Sequence, residues 1–139
     1  MKKIILLVIV FLLTSFSNAF AKEKAFILFN KYPITNETIT STSNTNLFSP
    51  GERIYYLVAF PQKAIKKSLL IQIYKIDGGA DERFGHDIIW GKRVKLRTQH
   101  HNFYTDYIVL NQTGAFVMKV YSRDNPTKIL TTNNFYVKN

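Results

Sequence analysis

Asn111-Gln112-Thr113-Gly114-Ala115-Phe116-Val117-Met118-Lys119-Val120-Tyr121, then Ser122-Arg123-Asp124-Asn125-Pro126, then Ile129-Leu130-Thr131-Thr132-Asn133-Asn134-Phe135-Tyr136-Val137-Lys138: this stretch decides the fold. A glycine opens a run in which apolar side chains recur at every second position. A polar, proline-containing turn interrupts it, and a second β-branched and aromatic run follows. Period-two patterning on both sides of a turn predicts an antiparallel hairpin. Phe116, Met118 and Val120 fall on one face of the first arm, and with Ile129, Phe135 and Val137 they are expected to close the core.

Outward from the hairpin, strand signals recur about every ten residues. Residues 103–110 form a strand leading into it, after a Thr98-Gln99-His100-His101-Asn102 turn. Residues 88–97 form another, in which Val94 and Leu96 point inward while Arg93, Lys95 and Arg97 point outward, and Gly91 permits a bulge. Residues 68–77 place Leu69, Ile71 and Ile73 on one face. In residues 53–60 both faces are apolar, Ile54, Tyr56, Val58 and Phe60 on one side and Tyr55, Leu57 and Ala59 on the other, so this strand is expected at the centre of its sheet. Ser49-Pro50-Gly51-Glu52 before it is a turn signal. Residues 25–32 suit a first strand, and the Thr-, Ser- and Asn-rich residues 36–46 read as an exposed loop or a loose edge strand.

That gives seven or eight short strands with no helical period, the pattern of an all-β antiparallel sandwich or small barrel. Gly114-Ala115-Phe116-Val117-Met118-Lys119-Val120 after a turn, with a short closing hairpin, resembles the last strands of immunoglobulin-like and fibronectin-type sandwiches of secreted bacterial proteins. Ser49-Pro50-Gly51-Glu52 resembles the approach to their second strand. The resemblance implies a single antiparallel Ig-like β-sandwich. The sequence departs from antibody-type domains in lacking both cysteines, and Phe116 stands where a tyrosine supplies the corner hydroxyl. Such domains bind through loops that differ in each case, so the resemblance carries over no binding residues.

The first 21 residues read differently from the rest. Met1-Lys2-Lys3 is a basic start, residues 4–13 are an unbroken apolar run, and Ala19-Phe20-Ala21 has small residues at both positions a signal peptidase reads. The run is half the length a membrane span needs. A cleaved secretory signal over residues 1–21 and one domain over residues 22–139 are therefore expected, in a bacterial periplasm or outside the cell, with no stable membrane span after cleavage. The chain has no cysteine, which excludes disulfides and a lipid on an N-terminal cysteine. After cleavage, 17 basic residues stand against 9 acidic ones, a balance of +8. Such a charge favours anionic partners, and export argues against nucleic acid among them.

Catalytic constellations are scarce. Three histidines, His86, His100 and His101, fall in a glycine-rich loop and a turn, and adjacent histidines on extended chain point apart, whereas zinc needs three or four converging ligands. No serine stands in a nucleophile elbow, and Gly78-Gly79 lacks the lysine and helix of a phosphate loop. No cofactor, metal or catalytic residue is expected. What remains is basic and aromatic: Arg93, Lys95 and Arg97 on the outward face of one strand, Trp90 beside a loop, and the three histidines. These are the candidate binding residues of a non-enzymatic interaction module for a protein or an anionic cell-envelope polymer. A carbohydrate-binding module or small enzyme using the 78–90 loop is one alternative. A protease inhibitor presenting the Gly78 to His86 loop or the Thr-rich one is another.

Overall fold

The computed structural model describes residues 24–60, 68–76, 88–96, 103–122 and 125–139, with side chains from Lys128 onward in the last segment. The leader, the 78–87 loop, the 98–102 turn, and with them His86, Arg97, His100 and His101, lie outside the described residues. The described residues hold eight strands: β1 (Phe26–Asn30), β2 (Leu47–Phe48), β3 (Arg53–Ala59), β4 (Ser68–Ile76), β5 (Ile88–Lys95), β6 (Phe103–Val109), β7 (Gly114–Ser122) and β8 (Asn125–Val137). They form a three-stranded sheet ordered β1-β3-β6 and a five-stranded sheet ordered β2-β8-β7-β4-β5. The described residues contain no helix. The expected all-β sandwich is therefore the observed one. Strand β6 stands at the outer edge of the smaller sheet.

The core lies between the sheets and follows the sequence periodicity. Ile27 and Phe29 of β1, Ile54, Tyr56 and Val58 of β3, Leu69, Ile71 and Ile73 of β4, and Phe116, Met118 and Val120 of β7 are buried in one cluster with Phe135 and Val137. As predicted, β3 is the central strand of its sheet. The Ser49–Glu52 turn forms through Pro50 at its second position and Gly51 at φ +79° at its third, a backbone shape that glycine adopts without steric cost. The Glu52 amide donates to the Ser49 carbonyl at 3.1 Å, and the Gly51 amide donates to Leu110 at 2.9 Å.

Three expectations are corrected. Gly91 pairs regularly with Gln72. The bulge instead falls at Ile89, because Ile73 faces Trp90 while Tyr74 faces Ile88. The extra residue lets Ile89 and Trp90 both pack on the core, which consecutive strand residues otherwise cannot do. Ile129 is not a core residue: the β7–β8 register shifts beyond Val120, turning Leu130 to the core and leaving Ile129 45% exposed. Finally, the pairing is not wholly antiparallel. Leu47 and Phe48 lie parallel to Tyr136 and Val137, because the chain after β1 crosses from one sheet to the other before β3.

The Thr-rich segment is the exposed loop of the two alternatives, not an edge strand. Residues 35–42 close on themselves, with the Ile39 amide donating to Thr35 at 2.9 Å and the Thr42 hydroxyl to Thr38 at 2.8 Å. The residues that follow cover the edge of β1: the Phe29 amide donates to Asn44 Oδ1 at 3.0 Å, and the Thr45 amide donates to the Phe29 carbonyl at 2.8 Å. A short strand edge is thereby shielded from stray pairing.

Candidate functional site

Strand β5 carries the predicted binding residues that fall within the described chain. Arg93 opposite Leu70 and Lys95 opposite Ser68 are exposed on the outer face of the five-stranded sheet, as their alternation with Val94 required. The same face continues across β4 and β7. Lys119 sits opposite Gln72, and its Nζ lies 4.9 Å over the Tyr74 ring, a cation–π arrangement. The Tyr74 hydroxyl donates to Gln72 Oε1 at 2.6 Å. Burial, aided by the neighbouring Tyr121 hydroxyl, pushes the Tyr74 phenol up to about 12. Farther along, Lys138 Nζ stands 5.6 Å over the Tyr136 ring. Strands β2, β4, β5, β7 and β8 together hold six basic residues, Lys75, Lys92, Arg93, Lys95, Lys119 and Lys128, and no acidic one.

Trp90 and Lys92 point the other way, into the seam where the edges of β5 and β6 approach each other. Trp90 is half-buried and meets Tyr56 edge-on, with ring centroids 6.4 Å apart; Tyr104 of β6 lies 6.2 Å from the same ring. Lys92 Nζ contacts Asp106 Oδ2 at 2.6 Å. The Tyr104 hydroxyl donates to the same oxygen at 3.0 Å, and the Tyr107 amide donates to Oδ1 at 2.8 Å. Burial acts to raise the Asp106 pKa, but these donors, Lys92 foremost, outweigh it and hold the carboxyl below its usual range. Both carboxylate oxygens are thus engaged, so the pair is a latch between the sheets, with no oxygen left as a free base.

Sequence reading missed Tyr56, Tyr104 and Asp106 as members of one cluster. One signal was available, since Asp106 is the only acidic residue in any described strand. The hydroxyl of Tyr56 is fully enclosed and has no hydrogen-bond partner of good geometry among the described residues. Burial first, then the nearby Tyr104 and Asp106, push its phenol far above the ordinary tyrosine range. Among the described residues no three histidine, cysteine or carboxylate side chains gather as a metal site.

The two packed sheets have a known counterpart. The structure is similar to the PmoD soluble domain from Methylocystis sp., with a TM-score of 0.54 at 9% identity over 82% of this chain and 90% of that one. A conjugative transposon lipoprotein from Bacteroides eggerthii gives a TM-score of 0.41 at 12% identity, over 85% of this chain and 100% of its own. At such identities the first likeness is one of fold alone. No protein-family profile and no curated protein matches the sequence. No helix among the described residues is long and apolar enough to cross a membrane.

Proposed function

We propose that the chain is an exported, non-enzymatic β-sandwich module that binds an anionic partner, a protein or an envelope polymer, across the outer face of its five-stranded sheet. The observation that carries this reading is the charge of that face, where Arg93, Lys95 and Lys119 stand and the strands of the sheet carry no acidic residue. A face of one sign steers and holds partners of the other. Arg93 and Lys95 are exposed on it, and Lys119 is held in place over Tyr74. The basic leader with its apolar run and Ala19-Phe20-Ala21 supports export.

The test is the triple substitution Arg93→Glu, Lys95→Glu and Arg97→Glu, with partners captured from the native envelope fraction and identified by mass spectrometry. Binding is expected to fall by about two orders of magnitude, from the reversal of three charges, at a nearly unchanged melting temperature. Equal capture by the variant removes this face from the function.

A further inference from the structure

The outer face of the three-stranded sheet breaks the usual rule that the side of a sandwich strand turned from the core is polar. Registered across β1, β3 and β6, its rows read Phe26-Ala59-Phe103, then Leu28-Leu57-Thr105, then Asn30-Tyr55-Tyr107, and finally Arg53-Val109. Asn30, Arg53 and Thr105 are the polar interruptions in eleven positions. Phe26 is 43% exposed, Tyr107 44% and Val109 45%, while Leu57 at the centre is fully buried. Just beyond β1, Tyr32 is 75% exposed. Scattered apolar residues on a surface need no explanation, but a contiguous apolar sheet face does.

Cations accompany this face. The Arg53 guanidinium lies 4.8 Å over the Tyr107 ring and donates to the Tyr55 hydroxyl at 3.5 Å, and the two tyrosine rings are 5.6 Å apart. Lys24 precedes β1 and is exposed, and Lys31 follows it, 3.6 Å from Glu52. Aromatic and aliphatic side chains with Arg53 among them and a lysine at either end of β1, with few groups able to hydrogen-bond a sugar, match one environment well. That environment is the boundary between head groups and acyl chains of an anionic bilayer, where rings settle at the interface and cations meet phosphates.

We propose that the β1-β3-β6 face docks on an anionic lipid surface, with Phe26, Tyr107 and Val109 entering the interface and Arg53 pairing with head-group phosphate. This goes beyond the reading given above and uses the opposite side of the sandwich. It orients the molecule: with one sheet on the membrane, the basic sheet faces away from it and is free to hold a second partner.

The experiment is co-sedimentation of the protein, expressed from its full coding sequence, with vesicles of phosphatidylcholine alone or mixed with phosphatidylglycerol. The mixed vesicles are expected to bind it, and the neutral ones to bind it at least tenfold more weakly. The double variant Phe26→Ser, Val109→Ser should lose about tenfold in vesicle affinity per side chain removed, with an unchanged circular dichroism spectrum. Arg53→Gln should weaken binding less and flatten its salt dependence. In the same assay Arg93→Glu with Lys95→Glu should leave binding to these vesicles within about twofold. Failure of the wild-type chain to bind the mixed vesicles overturns the proposal. So does a loss confined to the Arg93 and Lys95 variant, or light scattering that shows a dimer abolished by Phe26→Ser, which assigns the face to a second copy. None of these results bears on capture of a partner by the basic sheet, which the triple charge reversal reads separately.

Discussion

Lys92 of β5 and Asp106 of β6 belong to different sheets, yet their side chains meet at 2.6 Å and both are directed toward the interior of the sandwich. Each sits on an edge strand, and an inward charge on an edge strand discourages pairing with a foreign strand. The contact therefore latches the two sheets and guards two exposed edges at once.

The latch gives stability a defined pH window. Asp106 has a folded pKa below 3.8, so its contribution is complete above the unfolded value and is lost as pH falls through the folded one. Lys92 has a folded pKa above 10.5, so its contribution is complete below that value and fades only in strong alkali. Both side chains are partly solvated, and after screening the pair is worth about 1 kcal/mol. Urea unfolding of wild type and Asp106→Asn should differ by about that much at pH 7, and the two curves should converge below about pH 4. A constant gap down to pH 2 would disprove the assignment.

Phe116 and Phe135 face each other across β7 and β8, with rings stacked at 5.4 Å and 20° and both side chains fully buried. Phe116→Ala should cost about 3–5 kcal/mol through the cavity left behind. The double variant with Phe135→Ala should fall short of additivity by about 1 kcal/mol, the part contributed by ring contact. Thermal and urea unfolding of the four proteins in the cycle measures it.

Gly114 and Gly91 separate backbone need from sequence habit. Gly114 opens β7 at φ +151°, and a methyl group there would lie 3.1 Å from the Lys75 Cε. Gly114→Ala is expected to cost about 1–3 kcal/mol. At Gly91 the nearest atoms to an added Cβ are the Ile71 carbonyl at 3.7 Å and the Gln72 Cγ at 3.8 Å, ordinary contacts, so Gly91→Ala should fall within about 0.5 kcal/mol of wild type. Comparison of their chemical-denaturation midpoints tests both.

Asn133 of β8 ties the sheets on the opposite side from the latch. Its Nδ2 donates to the Ile27 carbonyl at 2.9 Å and lies 3.3 Å from Asn44 Oδ1. Asn133→Ala should lower stability by about 1 kcal/mol. Amide exchange should quicken at Phe29, whose N–H is held by Asn44, while amides of β7 slow or hasten only with global stability. Unchanged exchange at Phe29 would mean that Asn44 keeps its place without Asn133.

Much of this architecture was legible in the chain. Alternation of apolar residues located β3, β4 and β7 and named their core faces; a strand apolar on both sides, residues 53–59, announced its own central position. Pro50-Gly51 announced a turn whose third residue needs positive φ. Arg93 and Lys95 were correctly turned outward by their alternation with Val94. Period two is a property of a single strand, and these conclusions depended on nothing else. What the alternation could not decide was every relation between distant segments. That β6 pairs with β3 and not with the β7 it leads into, that bulges at Ile89 and Leu130 change which neighbours face the core, that Lys92 meets Asp106, and that an apolar face lies outward on β1, β3 and β6 all follow from which strands lie side by side. Those choices are made by contacts remote in sequence, where one extra residue in a strand reverses the face of all that follow.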